Sequence, residues 1–273
     1  MARMKQILIM LIAVVMVGCG KKDESAPQVE EKLPQSGLVK EQEVDPKVPS
    51  PTTSTKPEPQ AKPKESTEEE ILLSEFTKQE IARAESGDAD AQYGLGVCYQ
   101  AGIGLAKDAG KSAKWFRKAA EQGHVKAQWN LAVIYHIGEG VEKDLKEAVK
   151  WYRKAADQGD AMAQFGLGNR YKTGEGVGKD LKEAVKWYRK AADQGFASAQ
   201  DSLGFMYTFG EGVIEDRVTA YAWCNIAAAN GNALSKKYKG SNAKEMTSAQ
   251  IAQAEALVKE MIRKNPKLLK KKE

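Results

Sequence analysis

From residue 87 onward, the hydrophobic and small residues of this chain recur at a constant interval. Every 36 residues the chain repeats the same series: an Ala-Gln dipeptide, a tyrosine, a Gly-x-Gly motif, an aspartate and a tryptophan. Five glycines mark the interval: Gly87, Gly123, Gly159, Gly195 and Gly231. A fixed period of this length is typical of repeat proteins, in which similar units stack into a solenoid.

Each unit is predicted to contain two helices. In the first, Ala91, Leu95 and Tyr99 follow at intervals of four residues and form one apolar stripe. The Gly-x-Gly that follows is expected to end this helix, since glycine tolerates the left-handed conformation of a helix C-cap. Asp144 is expected to cap a second helix, with Glu147 completing a start similar to a capping box. The residues predicted to face inward on that helix are Ala148, Trp151, Tyr152, Ala155 and Ala156.

The repeated Ala, Gly, Asp, Trp-Tyr and Ala-Ala positions resemble the Sel-one-like repeat (SLR) family, which is related to the tetratricopeptide repeats. The resemblance implies an all-α, right-handed solenoid of helix-turn-helix units. It gives four units, at residues 87–122, 123–158, 159–194 and 195–230. A capping helix is expected over residues 67–86, and C-terminal capping helices with a basic tail over residues 231–273. Thr247 and Gln250 are expected to form a capping box there.

The N-terminus indicates export. A basic start precedes an apolar run from Ile7 to Val17, which is too short to cross a bilayer. The stretch Met16–Cys19 resembles the lipobox of bacterial lipoproteins, which implies that residues 1–18 are removed and that Cys19 carries a lipid. By the same resemblance, Gly20 favours the outer membrane, with the protein facing the periplasm. The alternative is an ordinary secretory signal followed by an incidental cysteine.

Residues 19–66 are expected to form a disordered tether behind the lipidated Cys19. From Gly20 to Ser66 the chain is dominated by Pro, Glu, Lys, Ser, Thr and Gln and contains no aromatic residue. Such a composition cannot bury enough apolar surface to offset the entropy lost on ordering. Because every Phe, Trp and Tyr lies at or after Phe76, the hydrophobic core is confined to the rest of the chain.

Composition argues against several functional classes. The 273 residues include 42 Lys and Arg against 37 Asp and Glu, and a formal charge of +5 is too small to indicate a nucleic-acid partner. Three cysteines and two histidines leave little material for a disulfide framework or a metal cluster. We therefore expect neither a metal nor a cofactor.

Two short strings match serine penicillin-recognising enzymes but lack their structural context. Ser241 and Lys244 fit Ser-x-x-Lys, and the stretch Lys172–Gly174 fits Lys-Thr-Gly. The second string occupies a position that is a helix end in every unit, so no catalytic site is predicted. Some relatives with a cysteine pair in each repeat have been linked to β-lactams, and this chain lacks those pairs. Two alternatives stay open: a hydrolase acting on β-lactam or cell-wall substrates, and a module that binds peptidoglycan or other glycans.

Without a catalytic set, function is expected to reside in the first helices, which by the resemblance line the concave face. The first-helix surface, as we call it, comprises their residues off the packing stripe: Tyr93, Val97, Gln100, Trp129, Val133, His136, Phe165, Asn169, Lys172, Asp201, Phe205 and Thr208. Aromatic residues among polar ones suit a protein or peptide ligand of the cell envelope. Trp129, Asn169 and Phe205 are the preferred contacts, because sister repeats differ there. The alternative is that Tyr93, Trp129 and Phe165 pack between adjacent units.

The second helices repeat a basic set that stacking would turn into a ridge. The basic ridge comprises Lys114, Lys150, Lys186, Arg117, Arg153, Arg189, Lys118, Lys154 and Lys190. It predicts an acidic partner, such as anionic lipid headgroups or an acidic protein. The favoured alternative is that these residues complement the helix dipoles and stay solvated. The chain is thus predicted to be a non-catalytic interaction or scaffold module, tethered by lipid in the bacterial envelope.

Overall fold

The computed structural model describes residues 68–269 of the chain. Three predictions concern segments outside the described residues: the signal peptide of residues 1–18, the lipidated Cys19 and the tether of residues 19–66. The chain divides into two units, Met1–Leu73 and Ser74–Glu273. Only residues 68–73, the start of one helix, are described in the first unit. The second unit contains the repeat fold.

The described residues form eleven α-helices and one short 3-10 helix. Helix α1 (Glu68–Glu85) comes first. Four pairs follow: α2 (Ala89–Ala101) with α3 (Ala109–Glu121), α4 (Val125–Ile137) with α5 (Leu145–Asp157), α6 (Ala161–Thr173) with α7 (Leu181–Ala192), and α8 (Ala197–Phe209) with α9 (Arg217–Ala229). The last elements are α10 (Ala233–Lys244), α11 (Ser248–Lys264) and the 3-10 helix Pro266–Leu268. All regular elements within residues 68–269 are helical, which confirms the predicted fold class.

The helix ends lie where the repeated glycines and aspartates predict them. Each first helix packs along its own second helix, and each second helix packs along the first helix of the next unit. The glycine equivalent to Gly138 follows every first helix in a left-handed conformation, with φ between 66° and 86°. The aspartate equivalent to Asp144 caps every second helix through its carboxylate. The side chain of Glu147 differs from the prediction, because it pairs with Lys150 Nζ at 2.8 Å instead of completing a capping box.

The core consists of the inward faces of the paired helices. All five residues predicted to face inward on α5 are buried: Ala148, Trp151, Tyr152, Ala155 and Ala156. They pack with Leu131 and Leu167 of the flanking first helices in one continuous cluster. The alanines let neighbouring backbones approach closely, and burial of each large side chain stabilises the fold by about 2–3 kcal/mol. Because one hairpin buries only part of its apolar surface, stability depends on stacking.

A pair of glutamines fastens each of the first three units to the preceding helix. Gln128 is buried at the start of α4, and its Nε2 donates to the carbonyl oxygen of Ala120 at 3.1 Å. Its Oε1 accepts from Gln158 Nε2 at 2.7 Å, and Gln158 also donates to the carbonyl oxygen of Gly123 at 3.2 Å. The same bonds join Gln92 with Gln122 and Gln164 with Gln194. We call this arrangement the glutamine clip. The repeated Ala-Gln dipeptide marked the position, but its role was not predicted.

The second glycine of each Gly-x-Gly lies where adjacent units approach most closely. At Gly176 φ is 74°, and a Cβ atom there would lie 2.1 Å from the carbonyl oxygen of Leu145, the first residue of α5. Gly140 and Gly212 are equally close to the backbone of the equivalent residues, at 2.3 Å and 2.4 Å. The sequence predicted a helix end at this motif, and the structure adds a contact between units that only glycine permits.

At the end of the stack, α10 and α11 both pack against α9. The predicted capping box of α11 is present: Thr247 accepts from the backbone N–H of Gln250, and Gln250 Oε1 accepts from the backbone N–H of Thr247 at 2.9 Å. After Lys264 the chain turns back towards the junction of α7 and α8, where Leu268 is buried. The C-terminal segment therefore returns to the third and fourth units.

Candidate interaction surface

The twelve residues of the first-helix surface occupy equivalent positions on α2, α4, α6 and α8. All of them are half-buried. The fully buried stripe of these helices lies next to them and includes Leu95, Leu131, Leu167 and Leu203. Each surface residue therefore divides its area between packing and solvent, which suits either a structural or a binding role. Their contacts distinguish the two roles.

Tyr93 and Phe165 pack between successive units. The ring of Tyr93 stacks on the ring of His124, with 4.5 Å between centroids and 20° between planes. The ring of Phe165 packs against Phe196, with 5.3 Å between centroids. His124 and Phe196 both occupy the cap position before the first helix of the next unit. These contacts favour a packing role for the two aromatic residues.

Trp129, Val133 and Asn169 also have partners within the protein. Trp129 and Val133 pack against the core cluster of the first three units. The Asn169 Oδ1 accepts a hydrogen bond from the hydroxyl of Tyr188 at 2.7 Å. Burial raises the pKa of Tyr188, so its hydroxyl stays protonated and remains a donor at neutral pH. Asn169 is thus held in place by the second helix of its own unit.

A line of polar and aromatic side chains connects the second, third and fourth units near the ends of their first helices. Arg170 Nη1 lies 2.7 Å from His136 Nδ1 and 2.5 Å from Glu175 Oε2. On the same helix, Lys172 Nζ lies 4.3 Å from the ring centroid of Phe205. Lys172 also approaches Glu211 at 3.8 Å. Two of the predicted contacts, Lys172 and Phe205, thus meet each other, while His136 and Lys172 meet Arg170 and Glu211, two charged side chains that were not predicted.

The helices at both ends of this line also carry an exposed apolar side chain as their last residue. Ile137 is 58% exposed and follows His136 directly. Phe209 is 61% exposed, and its ring lies 4.6 Å from that of Phe205. Neither residue was included in the predicted surface, although both occupy the same position of the repeat. A period of 36 applied to the last residue of each first helix would have found them.

The side chains of the basic ridge are largely engaged within the protein. Lys118, Lys154 and Lys190 lie over the tryptophan three residues earlier, with Nζ 4.1, 4.0 and 3.7 Å from the ring centroids. The guanidinium of Arg189 donates to the Tyr207 hydroxyl of the next unit at 2.8 Å. Lys186 pairs with a glutamate on its own helix at 2.8 Å. The six lysines of the ridge nevertheless stay exposed, so these contacts leave them accessible, and an acidic partner remains a prediction.

His124 caps α4 through a ring nitrogen where the first and third units use aspartate. Its Nδ1 accepts from the backbone N–H of Ala127 at 3.1 Å, and its Nε2 lies 3.3 Å from Asp90 Oδ1. Burial lowers the pKa of His124, and the carboxylate of Asp90 opposes this effect in part. The neutral imidazole is therefore the form that fits this site.

The strings that match enzymes lie on or at the ends of helices, and the two cysteines that the structure describes are buried. Ser241 is inside α10, where its hydroxyl donates to the carbonyl oxygen of Lys237 at 3.3 Å. Burial raises the pKa of the Cys98 thiol to about 11 and that of Cys224 to about 12, so neither forms a thiolate at neutral pH. Within residues 68–269, no three His, Cys, Asp or Glu side chains come together as metal ligands. None of the helices described is both long and apolar enough to span a membrane.

Comparison with known proteins identifies the repeat. The family model described as Sel1 repeat matches residues 89–124, 125–160, 161–196 and 197–232. A protective antigen present in uropathogenic Escherichia coli strains, which displays an SLR fold, is 37% identical with a TM-score of 0.65, over 75% of this chain and 48% of its own. A Sel1 repeat protein from Oxalobacter formigenes is 34% identical with a TM-score of 0.57, over 62% of this chain and 49% of its own. This chain thus spans about half the length of these two structures. No curated protein matches it.

Proposed function

Because this chain belongs to the Sel1 repeat family, whose repeats typically mediate protein–protein interactions, we propose that it is an interaction or scaffold module of the bacterial cell envelope. In this proposal the solenoid is non-catalytic, as Sel1 repeats generally are. A lipid on Cys19 holds it to the outer membrane, and the partner is a protein or peptide of the periplasm. The lipobox-like stretch Met16–Cys19 supports the anchoring.

The observation that carries the interaction role is the exposed apolar pair beside a charged line. Ile137 and Phe209 stay exposed at the ends of two first helices, and Arg170 and Lys172 lie on the helix between them. Apolar anchors next to fixed charges are the usual composition of a protein-binding surface. Their placement on three consecutive units suits an extended ligand that crosses the repeats.

Site-specific photo-crosslinking in the full-length chain tests this role. A photoreactive phenylalanine analogue at position 209 should form adducts with another envelope protein upon illumination of living cells. The matched control carries the analogue at Ile214, which is 88% exposed on the loop between α8 and α9 and therefore on none of the first helices. Adducts from position 209 that are absent from position 214 support the proposal. Equal yields from both positions, or none from position 209, contradict it.

A separate experiment tests the anchor. Cells expressing the full-length chain are labelled with palmitate and fractionated into outer membrane, inner membrane and soluble periplasm. The wild type should carry label in the outer membrane fraction, and the Cys19→Ser variant should lose the label and become soluble. Label in the inner membrane would contradict the expected membrane. An unlabelled, soluble wild type would favour the ordinary secretory signal.

A further inference from the structure

The segment Asn265–Leu269, which we call the C-terminal strap, fills a slot beside the loop between α7 and α8. The Leu268 side chain is buried in the core cluster of the last two units. The carbonyl oxygen of Leu268 accepts from Gln200 Nε2 at 2.9 Å and from Asn230 Nδ2 at 2.6 Å. At the other end of the strap, Asn265 Nδ2 donates to the carbonyl oxygen of Asp193 at 2.8 Å. The strap is therefore recognised by its backbone, one leucine and one asparagine.

The slot offers an amide donor to the strap because the fourth unit breaks the pattern of the glutamine clip. In the first three units the glutamine at the end of the second helix donates to the carbonyl oxygen of the glycine 35 residues earlier. In the fourth unit Asn230 stands at that position, and its side chain is shorter by one methylene group. Its amide still reaches Gln200 Oε1 at 2.8 Å, and its other bond goes to the strap. In the fourth unit the carbonyl oxygen of Leu268 thus takes the place that a glycine carbonyl oxygen has in the first three units.

Gly195, the glycine beside the slot, also differs from the equivalent glycines of the other units in what lies next to it. A Cβ atom at Gly195 would lie 2.5 Å from the carbonyl oxygen of Lys267, so the strap backbone passes directly over this glycine. At the equivalent Gly87, Gly123 and Gly159, a Cβ atom would meet nothing within 4 Å. The repeat therefore keeps open space at this position, and the described part of the chain fills it only in the fourth unit.

We propose that this slot is a binding site for a short peptide segment, which the C-terminal strap occupies in cis. The ligand is an extended or 3-10 segment of a partner protein with the chemistry Asn-Pro-x-Leu: an asparagine amide for the Asp193 carbonyl, a leucine for the pocket, and a free carbonyl for the two amides of Gln200 and Asn230. This site is on the loop side of the fourth unit. It is separate from the first-helix surface and does not depend on the function proposed for that surface.

The contacts of the strap explain why a ligand in trans can use the same slot. They involve side-chain amides, main-chain carbonyls and one apolar pocket, none of which requires covalent connection to α11. Because Asn265 directly follows that helix, the tethered strap has an effective concentration in the millimolar range or higher. A free peptide therefore competes poorly with an intact strap and binds well when the strap is weakened. Leu268 is the residue whose loss weakens it most, since it is the buried one.

The test measures binding of a labelled peptide with the sequence of residues 264–269 to the full-length chain by fluorescence anisotropy. The Leu268→Ala variant should bind it saturably and at least about tenfold more tightly than the wild type, whose own strap competes. A peptide with alanine in place of the leucine at position 268 should bind at least about tenfold more weakly than the parent peptide. Adding Asn230→Gln to the Leu268→Ala variant should also reduce binding about tenfold, because the longer amide can donate to the carbonyl oxygen of Gly195, as in the first three units, instead of to the peptide.

A chain that ends at Lys264 provides the second measurement. The peptide should bind this chain too, and if loss of the strap lowers the melting temperature, added peptide should raise it again. The Phe209→Ser substitution in the Leu268→Ala background is the matched control and should leave peptide binding unchanged. Absence of saturable binding to both strap-deficient chains, together with no rise in melting temperature, would overturn the proposal.

Discussion

The Gln158 amide donates a hydrogen bond of 2.7 Å to Gln128 Oε1, which connects the end of a second helix to the start of its own first helix 30 residues earlier. The same Gln128 donates to the carbonyl oxygen of Ala120 in the preceding unit. One buried side chain therefore connects three helices of two units. The stability of a solenoid is the sum of the stabilities of its units and of the interfaces between them. The Gln128 side chain contributes to the stability of its own unit and to that of the interface with the preceding unit.

Replacement of Gln128 by leucine should lower the free energy of unfolding by about 1–3 kcal/mol, because the carbonyl oxygen of Ala120 loses its buried donor. Urea unfolding followed by circular dichroism at 222 nm measures the change. The exposed Gln158→Ala should cost less. The double variant should lose less unfolding free energy than the sum of the two single losses, since each single substitution already removes the bond between the two glutamines. Strict additivity would show that the clip is not energetically coupled.

Alanine at Gly176 should destabilise the fold strongly, whereas alanine at Gly178, two residues further on, should not. At Gly176 the new Cβ atom would lie 2.1 Å from a carbonyl oxygen on a left-handed backbone, and at Gly178 it would meet nothing within 4 Å. We expect a loss of at least about 2 kcal/mol for Gly176→Ala and a change within about 0.5 kcal/mol for Gly178→Ala. Thermal denaturation of the two variants compares them directly. Equal melting temperatures would refute the close approach of units at this glycine.

Stability should depend on pH through His124. Well above pH 6.5 its imidazole is neutral in both the folded and the unfolded chain. Burial lowers the pKa of the folded form, so below pH 6.5 the unfolded chain binds the proton more readily and the free energy of unfolding falls. A single group contributes at most about 1.4 kcal/mol per pH unit to this slope. Charges around the ring come from Asp90 and Lys126, and the effect of burial exceeds that of the acid.

The His124→Asn variant isolates this effect. Asparagine is also a good N-cap and does not titrate, so the variant should keep the cap on α4 and lose the additional slope between pH 6.5 and pH 5. The measurement is the difference in unfolding free energy between the wild type and the variant at several pH values, in which other titrating groups cancel. A difference that stays constant over this range would contradict a lowered pKa at His124.

Trp129 and Phe209 should respond differently to substitution, although both are aromatic residues of first helices. Trp129 packs against the core, so Trp129→Ala should lower stability by about 1–3 kcal/mol. Phe209 is mostly exposed, so Phe209→Ser should change stability by less than about 0.5 kcal/mol. Chemical denaturation of both variants measures this. A large loss with Phe209→Ser would assign that ring to the fold and remove it from the interaction surface.

The periodic pattern predicted the fold closely because every unit repeats the same local signals. Asp144 and Gly138 begin and end helices through contacts with residues two to five positions away, which a sequence displays directly. Trp151 and Tyr152 were assigned to the core because they share a helical face with alanines. Asp144, Gly138 and Trp151 recur in four units, so the same helix boundaries and core positions are predicted four times.

The remaining features depend on contacts between units, which a single repeat does not display. The second glycine was assigned only to a helix end, since its contact is with Leu145, 31 residues earlier. The line from His136 through Arg170 likewise needs two helices placed side by side. Asn230 is a shorter residue at the position of a repeated glutamine, and nothing within the fourth repeat indicates the partner that its amide has outside the repeat. That partner is the carbonyl oxygen of Leu268, 38 residues further along the chain.

We propose that this chain acts by contact, through exposed apolar and charged side chains on its first helices. Quantitative mass spectrometry of proteins crosslinked to the full-length chain tests it most directly, with the wild type, the Ile137→Ser/Phe209→Ser variant and the Ile214→Ser control compared at equal abundance. We predict that a defined set of envelope proteins is captured equally by the wild type and the control, and is reduced at least about tenfold with the double variant. Equal capture by all three chains would contradict the claim.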